Sequence, residues 1–219
     1  MNHVGNDIVD LKSPEAKGKA ENKRFMQRVL NPDEQQAVLN SDHADSFLWA
    51  FWAAKESAYK AVSKIYPDVS SAPRRYPVIL DSVKINNIAT GIVNTPHSTV
   101  PVKIFFNKEY VHCIGITGDA LSLKNIVYDT EKINPEKIPG ADSISEKESL
   151  FARNLAKKHI ASCLQIKEQD IQIIRHKNLN RINPPMIYVK GKKQEIDISL
   201  SHDGGFAAYA LWSDSSHLK

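Results

Sequence analysis

Phe47, Phe51, Ala54, Ala58, Val62 and Ile65 recur at three- and four-residue steps, and a stripe with that spacing commits about twenty residues to one long helix with a single face on a core. The spacing predicts a helix from about Ser46 to Ile65, ended by Pro67, Pro73 and Pro77. A helix this long buries its stripe only against a second layer. The residues that follow supply one: VILDSVKINNIAT, STVPVKIFFN and EYVHCIGIT are rich in β-branched and aromatic residues and are separated by turn signals, which predicts a small antiparallel sheet. Ahead of the helix, VGNDIVDL reads as a strand. Asn31, Pro32 and Glu34 mark the start of a shorter helix through NPDEQQAVL.

The order then recurs. YDTEKINPEKIPGADSISE carries Pro135, Pro139 and Gly140 among charged residues and reads as a connection. A helix from about Ser145 to Leu164 follows it, then a segment with Arg181, Pro184 and Pro185, then strands MIYVKG, EIDISLS and FAAYALW. The expected fold class is therefore α+β, with two similar halves forming a pseudodimer, each a long helix packed on a small antiparallel sheet. The halves divide as residues 1–127 and 128–219, and 219 residues suffice for two cores of about 100 residues each. The shared order suggests an ancient duplication.

Composition excludes several classes. No run of about 18 apolar residues is present, so no membrane span is expected. MNHVGNDIVD lacks a basic segment followed by an apolar one, and the expected location is cytoplasmic. Cys113 and Cys163 show no ligand spacing and read as buried, reduced thiols. A net charge of +4 is too small to mark a nucleic-acid protein. It is unevenly spread, because Lys12, Lys17, Lys19, Lys23, Arg24 and Arg28 face only Glu15 and Glu21. That stretch is either a solvated segment or a docking surface for an acidic partner.

Glu56 and Lys60 lie one turn apart, opposite the apolar stripe, and Trp49, Trp52 and Tyr59 share their side. Two readings compete. As a solvent-screened i,i+4 pair they stabilise the helix by about 0.3–0.5 kcal/mol. If another segment covers the aromatic residues, the pair lines a cleft instead, where a carboxylate and an ammonium suit a metal-bound phosphate. Asp7, in a mostly apolar strand, needs charge compensation. With Glu56 it would give magnesium the partial carboxylate shell that ion commonly takes. Asp10 joins only if the strand ends by Val9, because residues three apart on a strand face opposite sides. Near the C-terminus Ile196, Ile198 and Leu200 alternate with Asp197, Ser199 and Ser201 as in a half-buried strand, ending at His202. The Ser201 hydroxyl and His202 imidazole could there hydrogen-bond a phosphate. No GxxxxGK[ST] or GxGxxG loop is present, so any phosphate must be held by side chains and metal.

GNDIVD, WAAKESAYK and SLSHD together resemble the 4'-phosphopantetheinyl transferase superfamily, whose pattern is G-x-D with a further acidic residue, then [WF]-x-x-K-E-[AS]-x-x-K, with an S-x-SH strand. RFMQRVLNPDE resembles its segment between the first two motifs, so the likeness spans about residues 4 to 64 and 180 to 212. The motif order is similar to that of the small holo-acyl-carrier-protein synthases, while the length is like that of pseudodimeric members. EYVHCIGITGD stands where the first half should carry S-x-SH, with Thr117 and Gly118 in place of Ser and His. LFARNLAKKHIASCL lacks the Lys-Glu pair. The resemblance implies one complete site between halves, which moves phosphopantetheine from coenzyme A to a serine of an apo acyl or peptidyl carrier protein. It implies magnesium on Asp7 and Glu56, with Asp10 as a further candidate. Glu56 and Lys60 are the implied catalytic residues, and Lys55, Lys60, Ser201 and His202 the implied coenzyme A contacts. A monomer with a basic face for the carrier, and no nucleic acid or membrane partner, completes the expectation. The alternative is an inactive module that binds coenzyme A or a carrier protein.

Overall fold

The computed structural model describes residues 2–81, 87–134, 143–178 and 181–214. The predicted connection through Pro135, Pro139 and Gly140 lies outside the described residues. The helix predicted from its stripe is α3, Ala44–Val62. It is preceded by strand β1, Val4–Asp10, and helices α1, Lys23–Val29, and α2, Pro32–Leu39. The start of α2 is a capping box: Asn31 Oδ1 accepts from Glu34 N and Glu34 Oε2 from Asn31 N, both at 2.8 Å. Strands β2 (Val78–Leu80), β3 (Ile88–Asn94), β4 (Thr99–Phe106) and β5 (Tyr110–Ile116) follow. They form an antiparallel five-stranded sheet in the order β1-β5-β4-β3-β2.

The second set begins with β6 (Val127–Lys132) and α4 (Ile144–Leu164). Next come β7 (Ile171–Ile174), the two-residue strands β8 (Lys177–Asn178) and β9 (Arg181–Ile182), β10 (Met186–Val189) and β11 (Lys192–Lys193), then β12 (Asp197–Asp203) and β13 (Phe206–Trp212). Their sheets run β12-β13-β6 and β11-β10-β7. Fold content is thus α+β with antiparallel sheets. Pairing recurs between the two sets: β1 pairs with β5 and β5 with β4, as β6 pairs with β13 and β13 with β12. This corrects one expectation. The SLSHD strand is β12, whose counterpart in the first set is β4 and not the EYVHCIGIT strand, β5.

Strand periodicity explains the layering. On β1, Gly5, Asp7 and Val9 face α3, while Val4, Asn6, Ile8 and Asp10 face the second sheet. Cross-strand partners share these faces. Val4, Ile114 and Ile116 accordingly pack with Ala210 and Trp212, and Ile8 packs with Phe206 and Ala208. The other side of the second sheet carries Ile198, Leu200, Tyr209 and Leu211, which pack with Ala152, Leu155, Ala156 and Ile160 of α4. The order through the molecule is α3, first sheet, second sheet, α4. Both faces of β12 are therefore covered, so its alternation does not mark one face as wet. Among the described residues no helix is long and apolar enough to cross a membrane.

Candidate active site

β1 and β12 are edge strands of their sheets and lie against each other. An edge strand presents unpaired N–H and C=O groups that must find partners, and here side chains supply them. Val4 N donates to Asp197 Oδ2, Asn6 N to Ser199 Oγ and Asp10 N to Asp203 Oδ2, at 2.7, 2.9 and 2.8 Å. The outward carbonyls take lysines from α3: Lys64 Nζ donates to Val4 O at 2.7 Å and Lys60 Nζ to Asn6 O at 3.0 Å. Gly5 makes this approach possible. A Cβ there would overlap the Ser57 carbonyl oxygen and crowd the Ala61 amide.

With the strand so close to α3, the next inward residue, Asp7, meets Lys60: Nζ lies 2.6 Å from Oδ1. The Asp7 and Lys60 side chains are 14% and 30% exposed, so the pair is shielded yet open to a ligand. Burial pushes the Asp7 carboxyl above the usual range, against the pull of Lys60 and His202. Glu56, one turn before Lys60, is pushed up to about 7, chiefly by burial and then by the Asp7 charge, with Lys60 opposing. Asp7, paired with Lys60, and Glu56 one turn before it offer two carboxylate groups as hard oxygen donors. Among the described residues no group of three or more His, Cys, Asp or Glu side chains could hold a metal. Two carboxylates do fit the protein's share of a magnesium shell, which usually keeps water and substrate oxygens.

The Asp7–Lys60 pair lies where two clefts meet. The smaller, about 270 Å³, is lined by Asp7, Ser13, Trp49, Trp52 and His202. The larger, about 660 Å³, is lined by Tyr59, Lys60, Lys64, Arg175, Pro184 and Leu200. His202 is the penultimate residue of β12, and its Nδ1 lies 3.0 Å from Glu148 Oε2. Of the aromatic residues beside Glu56, Trp49 is buried, its Nε1 donating to Ala16 O, and the partly buried Trp52 is stacked on Phe25 of α1, which favours the cleft over the solvent-screened pair.

Asp7, Glu56, Lys60 and His202 are thus brought together. Three other candidates are not. Asp10 sits on the opposite face of β1 from Asp7, because the strand stays regular through residue 10. Its oxygens accept from Lys12 N at 2.8 Å and Gly205 N at 2.9 Å. Ser201 is buried, and its hydroxyl accepts from Asn6 Nδ2 at 2.9 Å. Lys55 is 1% exposed, donating to Glu34 Oε1 at 2.8 Å and to Tyr76 O at 2.9 Å. Its ammonium is consumed in the core, where burial holds its pKa down against Glu34.

Arg175, Lys64 and Glu148 escaped the sequence reading. Lys64 continued the four-residue step of Glu56 and Lys60, which could have flagged it. Besides Val4 O it donates to Asp197 Oδ2 at 2.6 Å and Ile198 O at 2.8 Å, so all three of its protons are engaged. Arg175, beside the like charge of Arg153, makes no hydrogen bond or ion pair among the described residues and is the cation of the larger cleft left free for an anion.

The sequence profile described as the 4'-phosphopantetheinyl transferase superfamily matches residues 3–113. Among solved structures, the chain is similar to holo-[acyl-carrier-protein] synthase from Neisseria meningitidis, with 20% identity and a TM-score of 0.42 over 53% of this chain and 98% of that one. It is also similar to the Thermotoga maritima holo-[acyl-carrier-protein] synthase, with 11% identity and a TM-score of 0.40 over 88% of this chain and 86% of that one. No curated protein matches.

Proposed function

Because this chain belongs to the 4'-phosphopantetheinyl transferase superfamily, we propose that it transfers the phosphopantetheine arm of coenzyme A to a serine of an apo acyl or peptidyl carrier protein. The observation that supports this reading is Lys60 bound to Asp7 beside Glu56, at the junction of two clefts. Asp7 and Glu56 would hold a magnesium ion, which when bound supplies positive charge to a pyrophosphate.

The chain's own residues account for the rest. Lys60 and Arg175 neutralise phosphate oxygens of coenzyme A in the larger cleft. His202 reaches its phosphates from the smaller one. Glu56 accepts the proton of the attacking serine. The serine oxygen forms the new bond to phosphorus, and the bond to the departing adenosine 3',5'-bisphosphate breaks. The carrier docks on exposed Lys12, Lys17, Lys23, Arg24 and Arg28, whose charge suits an acidic helix. The chain acts as a cytoplasmic monomer of two duplicated halves, residues 1–127 and 128–219.

Incubation with coenzyme A, magnesium and an apo carrier, followed by intact-mass measurement of the carrier, tests the reading. Gain of one phosphopantetheine group is expected. Binding of coenzyme A without transfer, to every carrier in a panel drawn from fatty-acid, polyketide and peptide synthesis, would overturn it in favour of a binding module.

A further inference from the structure

Glu148 lies on α4, the helix of the second set, and its side chain is only 14% exposed. Its Oε2 is 3.0 Å from His202 Nδ1, and His202 is itself 28% exposed at the wall of the Asp7 cleft. Among the described residues the other ring nitrogen, Nε2, has no hydrogen-bond partner. A carboxylate accepts hydrogen bonds and cannot donate them, so this contact puts a proton on Nδ1 and fixes both the tautomer and the plane of the ring.

We propose that Glu148 is a positioning residue of the active site, which holds the His202 ring by Nδ1–H and turns Nε2 towards the ligand in the Asp7 cleft, where it donates to a phosphate oxygen when the ring carries both protons. Two further contacts set up this arrangement. Asp203, the next residue, is tied by Oδ2 to Asp10 N, so the end of β12 is fixed to β1. Leu200, two residues earlier on the same face as His202, packs into the α4 core. The backbone therefore has little freedom to carry the ring elsewhere, and the rotation of the imidazole is what remains for Glu148 to settle. A function thus passes from α4, which lacks the Lys-Glu pair of α3, to the site at the junction of the sheets.

The inference rests on the proposed coenzyme A chemistry for its kinetic consequence but not for its structural one, and the test separates them. In protein labelled with nitrogen-15, with the ring neutral at alkaline pH and the His202 signal assigned by its loss in His202→Gln, the Nδ1–H tautomer is expected. Glu148→Ala removes the acceptor and is expected to move the ring to the Nε2–H tautomer or a mixture. Wild-type protein in the Nε2–H form, or a tautomer unchanged in Glu148→Ala, would overturn the proposal whether or not the protein transfers anything.

In the transfer assay Glu148→Ala is expected to raise KM for coenzyme A by about 10- to 100-fold, the scale of loss when the carboxylate behind a metal-ligating histidine is removed. The KM for the carrier should stay level. The double variant Glu148→Ala/His202→Ala should be no worse than His202→Ala alone, whereas additive losses would mean that Glu148 acts independently of the ring. Glu148→Gln carries the same kinetic test should the alanine variant fail to fold.

Discussion

Lys60 Nζ stands 2.6 Å from Asp7 Oδ1 across 53 positions of chain, and the same ammonium holds the Asn6 carbonyl. One lysine thus fixes both the charge and the backbone of the strand that carries the acid.

Asp7→Asn keeps the shape of that contact and removes its charge. Transfer is expected to fall by about 10²–10³-fold, with magnesium binding lost in calorimetry. Stability should change by no more than about 1 kcal/mol, because burial already disfavours the ionised carboxyl. A variant that turns over at the wild-type rate would remove Asp7 from the mechanism.

Glu56 gives a pH dependence of defined sign. Its folded-state pKa, about 7, lies above the ordinary 4.5, so between those values the folded protein binds more protons than the unfolded chain. The apo protein should be most stable below about pH 4.5 as far as this group is concerned, lose stability as pH rises towards 7, and level off above it. Asp7, also raised, acts in the same direction. Glu56→Gln should flatten the pH dependence of Tm over that window, and magnesium should raise Tm most on its alkaline side.

Gly5→Ala places a methyl group on the Ser57 carbonyl oxygen. The strand must move off α3, with a cost of about 1–3 kcal/mol or more and loss of the Asp7–Lys60 contact. Chemical denaturation and the transfer assay should therefore fall together, and full activity in a stably folded Gly5→Ala protein would contradict the close approach.

Lys55 separates a structural lysine from a functional one. Lys55→Met leaves Glu34 buried, and losing one partner of a buried pair costs about 3–5 kcal/mol. Lys55→Met/Glu34→Gln should recover part of that stability in urea titrations. KM for coenzyme A in the folded double variant should match wild type, whereas a large rise would return Lys55 to the ligand site.

The helical stripe of α3 and the β-rich segments were readable because each is a local period. Asp7, Glu56, Lys60 and His202 were readable because unusual residues stood at motif spacing. Lys55 misled for the same reason: its place next to Glu56 says nothing about which way it turns, and Glu34 appeared in the sequence only as a capping residue, although Oε1 also takes Lys55 and Val78 N. Ser201 and Asp10 misled because what covers them lies far along the chain. The bonds from Asn6 to Ser201 and from Gly205 to Asp10 each span 195 positions. Glu148 gave no local signal at all, being one acid in a charged helix whose partner is 54 residues away.

The alternation of β1, with odd residues on α3 and even residues on the second sheet, makes its reading frame a shared dependency. Insertion of a single residue after Gly5 would turn Asp7 towards the serines of β12 and send asparagine and isoleucine towards Lys60. Reactive centre and sheet junction would be lost in one event, so length changes in the chain have to be absorbed in its turns and never in this strand.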